Sequence, residues 1–423
     1  MSFTLHVDAG RWRAHTESVR EAVRSAVAPG LGDLVPVAKG NGYGLGNARL
    51  AREATRLGVT TLAVGTVGEL AGVAGHFAGD LLVLGPYEPA DLCAAEEWSA
   101  LAGAGYAGRV VRTVSSAAAL RTVLTGATAA APARVVLEGL TSMRRFGLGP
   151  AELTALLADS EVRAGLTGGA LRLEGLALHL PLTQPGTVHG EDPGAPWHDA
   201  AVGPAPPEGA SRRVQEVLAW AYPWAQLLAD LPLGEIAEPT SAAGAIAAAG
   251  ISAAPTLWVS HLDDGELRVV RAALPDTSLR VRIGTRLWLG ARSAMVARGT
   301  VLAVHAVRRG QRSGYRQRRA VRDGVLLVVG GGTAHGVALE APSAVSSVRQ
   351  RVVAAGSGVL EAGGLALSPF TIGGRQRWFS EPPHMQVSLV HVAAGVPIPA
   401  VGDEVDCDVR LTTASFDRVV GLD

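Results

Sequence analysis

Between residues 34 and 284 short apolar runs alternate with stretches of helical periodicity, and they do so eight times. LVPVA (34–38) precedes NARLAREATRL, TTLAV (60–64) precedes GELAGVAGHFA, and DLLVLG (80–85) precedes DLCAAEEWSAL. GRVVRTV (108–114), ARVVLEG (133–139) and LRLEGLALHL (171–180) each lead into a further helical stretch, and GEIAEP (234–239) and LRVRIG (279–284) complete the series. A chain written this way is confined to parallel strands joined by crossover helices. Its continuous apolar runs suit strands covered on both faces. Eight units over roughly 250 residues fit a closed (β/α)8 barrel better than an open doubly wound sheet. The expected barrel spans 9–290.

Two stretches interrupt the alternation. Residues 182–212 are rich in Pro and Gly and read as a long loop after the sixth strand, while LWVSHLDDGELRVV reads as a hairpin insertion turning at DDG. Past residue 290 the helical pattern fades. ARGTVLAVHAVRRG, GVLLVVGGG, QVSLVHVAAG and GDEVDCDVRLT are strand-like, so a mostly β domain is expected over 291–423, with a strand at 2–8 joining it.

Composition narrows the partners. The chain has 38 basic and 38 acidic residues, and no basic stripe interleaved with aromatics, which argues against a nucleic-acid partner. Two cysteines far apart, Cys93 and Cys407, suggest neither a disulfide framework nor a metal site. The start, MSFTLHVDAGRWR, carries charges where a signal peptide needs an apolar core, and the longest uncharged run, 239–260, does not read as a membrane helix. A soluble cytoplasmic protein, bound to no membrane, is the expectation.

Among 38 basic residues Lys39 is the only lysine. Arginine replaces lysine in most surface roles, but it cannot lose its proton and attack a carbonyl. Lys39 ends the first strand, at the face where such barrels build their active sites. Glycines at 40, 42, 44 and 46 follow it, with Tyr43 among them. That arrangement suits a Schiff base with a phosphate-bearing aldehyde cofactor.

K-G-N-G-Y-G-L-G (39–46) resembles the lysine motif of the alanine racemase family of fold-type III enzymes, with Leu45 where that family usually has histidine. Ser142-Met143-Arg144-Arg145-Phe146-Gly147 is similar to the family's segment after the fifth strand, and Glu174-Gly175-Leu176-Ala177-Leu178-His179 to its motif ending the sixth. Thr240-Ser241-Ala242 resembles the turn after the seventh, and Arg282-Ile283-Gly284-Thr285 the segment closing the eighth. Ser313-Gly314-Tyr315 looks like the family's second-domain tyrosine motif.

The resemblance implies pyridoxal 5'-phosphate bound by Lys39, Tyr43, His179, Ser241, Arg282, Gly284 and Thr285. It implies that Arg145 holds the carboxylate of an amino-acid substrate, with Glu138 supporting that arginine where some relatives carry a carbamylated lysine. It also implies a homodimer in which Lys39 and Tyr315, the latter acting in trans, are the two catalytic bases of a racemase of alanine or a related amino acid. Two bases on opposite faces are what inverting a stereocentre by proton transfer needs. An arginine at the pyridine nitrogen makes a weaker electron sink than a carboxylate there, which limits side reactions.

The second domain matches less well. The family's tyrosine is missing from Gly331–Gly336, Glu381-Pro382-Pro383 stands where a substrate-binding Met-Asp pair is expected, and the family's late tyrosine segment has no counterpart before Asp423. A divergent, shortened domain and a wider substrate pocket are therefore expected. A decarboxylase or aldolase on the same barrel, and a non-catalytic cofactor-binding protein, remain as alternatives.

Overall fold

The computed structural model describes residues 2–28, 30–182, 204–231, 255–339 and 366–422. The chain divides into two compact units. One comprises Thr16–Lys39 and Asn47–Trp288, the other Met1–His15, Gly40–Gly46 and Leu289–Asp423.

The chain opens with β1 (Phe3–Val7) and α1 (Ala9–Val27). The alternation then begins: β2 (Gly32–Pro36), α2 (Asn47–Arg56), β3 (Thr61–Val64), α3 (Leu70–Ala74), β4 (Asp80–Val83) and α4 (Leu92–Ala100). It continues through β5 (Val110–Val114), α5 (Ala117–Thr125), β6 (Ala133–Gly139), α6 (Pro150–Ala158), α7 (Ser160–Thr167), β7 (Leu171–Leu178) and α8 (Arg212–Ala229). The last units are β8 (Thr256–Ser260), α9 (Asp264–Ala273), β9 (Ser278–Ile283) and α10 (Thr285–Leu289). Strands β2 to β9 form one parallel sheet in the order β2-β9-β8-β7-β6-β5-β4-β3. Its two edges meet through a parallel bridge between Val37 and Ala63, with Ala38 N donating to Ala63 O at 2.8 Å. The result is the eight-stranded (β/α)8 barrel expected from the periodicity.

The seventh strand differs from the sequence reading. β7 pairs directly with β8, so Thr256–Ser260 holds the seventh place. The GEIAEP segment lies outside the described residues. What looked like a hairpin is a strand followed by a helix, because Asp263 caps the N-terminus of α9. Its side chain accepts from Glu266 N while Glu266 reaches back to Asp263 N, a reciprocal capping box, and Leu267 and Val270 bury one face. The long 182–212 loop falls mostly outside the described residues as well.

Inside the barrel, Val35, Val37, Ala63, Leu82, Val111, Val136, Ala177 and Trp258 form one buried cluster. Each Val or Leu removed from water there contributes about 1.5–3 kcal/mol. The Trp258 indole N–H is satisfied by Glu174 O at 2.9 Å. That carbonyl is placed by an extra residue on β7, whose pairing with β6 jumps from Leu173 to Leu176. Gly175 sits in the bulge at φ +133°, and a Cβ there would lie 2.5 Å from Thr256 O. Only glycine fits.

In the other unit β10 (Met295–Val307), β11 (Arg312–Ser313), β12 (Arg318–Arg319) and β13 (Gly324–Gly330) precede β14 (Leu367–Ile372), β15 (Arg375–Phe379), β16 (Val387–Ala393), β17 (Glu404–Cys407) and β18 (Arg418–Val420). The order β13-β16-β15-β14-β17-β10, with β10 also paired to β13, closes a six-stranded ring. β1 joins this sheet, antiparallel to β10 and parallel to β18.

Candidate active site

Strand alternation builds the barrel mouth. Residues two apart share a face, so the core positions Val37, Val136, Ala177 and Trp258 hand their facing to Lys39, Glu138, His179 and Ser260. Arg280, stacked over the Trp258 ring at 5.9 Å, does the same for Arg282. Trp288, fully buried, donates its indole N–H to Val37 O at 2.8 Å and so fixes the strand end that carries the lysine.

Lys39 is exposed as a residue, yet the walls of the mouth partly desolvate its amine. That desolvation, with the positive charges of Arg145 and Arg282, holds its pKa below the ordinary lysine value, against the opposing pull of Glu69. A lysine so placed keeps more of the free base that attacks carbonyls. Arg282 is buried, donates to Leu178 O at 2.9 Å, and is pushed down to about 10 by desolvation, with Glu138 resisting. Burial raises the Glu138 carboxyl while Arg282 and Arg145 pull it down. His179 is held near 3 by desolvation and by its cationic neighbours, so its ring is neutral at physiological pH. Its Nδ1 is hydrogen-bonded to Ser260 Oγ at 3.2 Å.

Of the residues singled out in the sequence, Lys39, Glu138, Arg145, His179 and Arg282 lie within electrostatic reach of one another. Ser241 lies outside the described residues. The turn that follows the seventh strand is His261–Asp263, and with the first residue of α9 it adds two residues the sequence reading missed, His261 and Asp264. His261, at φ +62°, packs edge-on against His179 with ring centroids 5.1 Å apart, and desolvation lowers it to about 4. Asp264 Oδ2 accepts from Arg286 Nη2 at 2.6 Å, joining the turns after β8 and β9. Glu216 on α8 was also missed. Only 2 % exposed, it accepts from Ser142 N at 2.6 Å and Ser142 Oγ at 2.8 Å, anchoring the loop that carries Arg145. Gly147 closes that loop at φ +127°, where a Cβ would lie 2.5 Å from the Gly139 backbone.

In the β unit the glycine-rich segment after Lys39 is held by Asn41, whose Nδ2 donates to Leu411 O at 2.8 Å and Ala414 O at 2.6 Å. Tyr43 is buried there at φ +57°. Tyr315 stands on the turn between β11 and β12 and is 86 % exposed. It borders a cavity of about 680 Å³ that Arg316, Thr333, Glu381, His384 and Met385 help to line.

Buried Arg282 Nε and Glu138 Oε2 have no hydrogen-bond partner among the described residues. Each unmet group costs about 1–3 kcal/mol, so the mouth is built for a ligand that supplies an acceptor and a donor. A pyridine nitrogen and polar ring substituents match that demand, and the lysine matches an aldehyde. The turn after β9, at Gly284 and Thr285, fits a phosphate end; the Asp264 carboxylate on the neighbouring turn opposes one.

A parallel barrel carrying a lysine at the end of its first strand, followed in the chain by a β unit, defines a class of lysine-bearing barrel proteins. A family model described as "Alanine racemase, N-terminal domain" matches residues 7–193. The matched segment takes in the motif around Lys39, whose resemblance to the same family the sequence carries. Solved structures share the fold at low identity. Alanine racemase from Bartonella henselae, with covalently bound pyridoxal phosphate, is 16% identical with a TM-score of 0.60, the match covering 99% of this chain and 100% of that one. The E. faecalis alanine racemase is 16% identical (TM-score 0.57, 96% and 88% covered), and the biosynthetic enzyme of Pseudomonas aeruginosa 18% (0.56, 97% and 91%). No curated protein matches the sequence. Among the described residues no helix is long and apolar enough to cross a membrane.

Proposed function

We propose that this chain is a pyridoxal-phosphate-dependent racemase of alanine or a related amino acid, working as a cytoplasmic homodimer. The observation that carries the reading is the chain's single lysine, its pKa depressed, facing the barrel mouth beside a buried arginine and a neutral histidine. Lys39 would meet the cofactor aldehyde, Arg282 the ring nitrogen, and Gly284 and Thr285 the phosphate. Bound there, pyridoxal phosphate supplies an electron sink for the pair left behind when an α-proton departs.

The protein's own groups do the rest. Arg145, three residues past the Ser142 anchored by Glu216, would bind the substrate carboxylate. Lys39 Nζ, once the substrate's amine has displaced it from the aldehyde, would take the α-proton from one enantiomer on its own face, or deliver a proton to that face when the other enantiomer reacts. The Tyr315 hydroxyl of a second copy serves the opposite face, and its exposure in a single chain suits that use. Arg282, at about 10, keeps its proton at neutral pH and does not pass it to the ring.

The test is α-proton exchange in deuterium oxide across a panel of L- and D-amino acids, beside borohydride treatment and peptide mass spectrometry of the protein supplied with cofactor. A reduced pyridoxyl adduct on the Lys39 peptide and exchange from both enantiomers of one amino acid are expected. An unlabelled Lys39 peptide would sink the reading.

A further inference from the structure

Segment 381–384 carries residues that the family pattern does not explain, and its geometry gives them a task. Glu381 is 2 % exposed. One oxygen, Oε1, accepts from Tyr315 N at 3.0 Å and is hydrogen-bonded to His384 Nε2 at 2.6 Å; the other, Oε2, accepts from Arg316 N at 3.1 Å. The carboxylate therefore grips the backbone of the tyrosine turn at two consecutive amides. His384 carries the grip to the side chain, its ring centroid 4.4 Å from that of Tyr315. Gly314, at φ +73°, leaves the space: a Cβ there would lie 2.2 Å from the Glu381 carboxyl carbon.

We propose that Glu381, acting with His384, is the positioning residue that presents Tyr315 for proton transfer, so that segment 381–384 orients the second base instead of contacting substrate through backbone amides. The inference rests on the racemase reading above. Within its own chain the Tyr315 ring is 86 % exposed, so the clamp is the hold that chain offers, and a ring left loose would spend little time aligned with a Cα–H bond. Misplacement by about 1 Å costs on the order of 10²-fold in rate. The clamp supplies from below the alignment that the exposed side of the ring lacks. Pro382 and Pro383 fix φ between the two clamp residues and hold Glu381 and His384 in register.

The experiment measures α-proton exchange separately from the two enantiomers, since each base serves one face. In Glu381→Gln and Glu381→Ala, exchange at the face served by Tyr315 should fall about 10- to 100-fold, matching a Tyr315→Phe control. Exchange at the Lys39 face should stay within about twofold, with the reduced pyridoxyl adduct on Lys39 unchanged. Gln, which keeps one acceptor oxygen, should lose less than Ala. If Glu381→Ala does not fold, His384→Ala, which removes the ring contact and the Nε2 hydrogen bond to Glu381 but leaves the carboxylate on both backbone amides, should show the same one-sided loss. Equal losses at both faces, or no loss at either, would overturn the proposal. A wild-type protein that exchanges neither enantiomer would instead remove the racemase reading, and this inference with it.

Discussion

Two carboxylates in this molecule are almost equally buried, Glu138 at 3 % exposure in the barrel mouth and Glu381 at 2 % under the tyrosine turn, yet burial leaves them in opposite states. Desolvation pushes both upward. Glu381 is surrounded by less protein than Glu138, so its desolvation is weaker, and the amides of Arg316 and Tyr315 and the His384 imidazole outweigh it, bringing the pKa below the ordinary carboxylate value. At Glu138 the charges of Arg282 and Arg145 act without a satisfying hydrogen bond on Oε2, and the pKa rises. A buried carboxylate whose acceptor sites are filled is a fixed part of the fold. One left short marks a place where the fold waits for something else.

Lys39 gives the largest effect by which that contrast can be broken. It sits among like charges, so Lys39→Ala should hold or raise the melting temperature, while Lys39→Arg or Ala should abolish the pyridoxyl adduct and reduce α-proton exchange by at least about 10³-fold. A variant that loses stability along with the adduct would show that the mouth is a structural element like the Glu381 clamp.

Glu216 is an intermediate case. Burial raises it to about 7 although both its oxygens are used by Ser142. A pKa raised on folding contributes stability that is present below the ordinary 4.5 and lost as pH climbs through about 7. Glu216→Gln keeps an acceptor for Ser142 N and offers a donor to Ser142 Oγ, but never ionises. It should therefore match wild type near pH 4 and exceed it by roughly 3 kcal/mol at pH 8, read from denaturant unfolding at the two values. A constant gap across that range would mean that folding leaves the Glu216 pKa where it is in the unfolded chain.

The sequence made the framework legible because the framework depends on local period: apolar runs, helical spacing, and a lone lysine where a strand ends. The seventh strand escaped because Asp263-Asp264-Gly265 reads equally well as a hairpin turn and as a helix start; only the pairing of β8 between β7 and β9 decides. Glu216 and Glu381 escaped for a different reason. Each finds its partner across the chain, 74 positions from Ser142 and 66 from Tyr315, and neither has a local signature. Lys39 was readable because it is the lone lysine and ends a strand at the face where such barrels build their sites, whereas His179 and Arg282 were reached only through motifs that resemble the family's.

The pair of turns after β8 and β9 gives a smaller effect. Asp264, bound to Arg286, places a carboxylate beside the turn where the phosphate is proposed to sit. Neutralising it in Asp264→Asn removes a like charge and frees the guanidinium. Affinity for pyridoxal phosphate should rise about tenfold, while affinity for unphosphorylated pyridoxal stays level. Equal gains for both aldehydes would place the effect at the ring end of the site, and no gain would separate Asp264 from it.

The smallest effect is expected at Glu138 itself, and it probes the comparison most directly. Glu138→Gln removes a carboxylate that burial penalises, which stabilises, but it also removes the negative charge that supports buried Arg282, which destabilises. With the two nearly opposed, the change in unfolding free energy at neutral pH should stay below about 1 kcal/mol. Glu381→Gln gives up one of two acceptor oxygens that hold backbone amides, and should cost about 2–3 kcal/mol, fading as pH falls through the lowered Glu381 pKa. A Glu138→Gln loss as large as that would mean the mouth carboxylate is already fully partnered in the folded chain, and that its unfilled oxygen is no sign of a ligand.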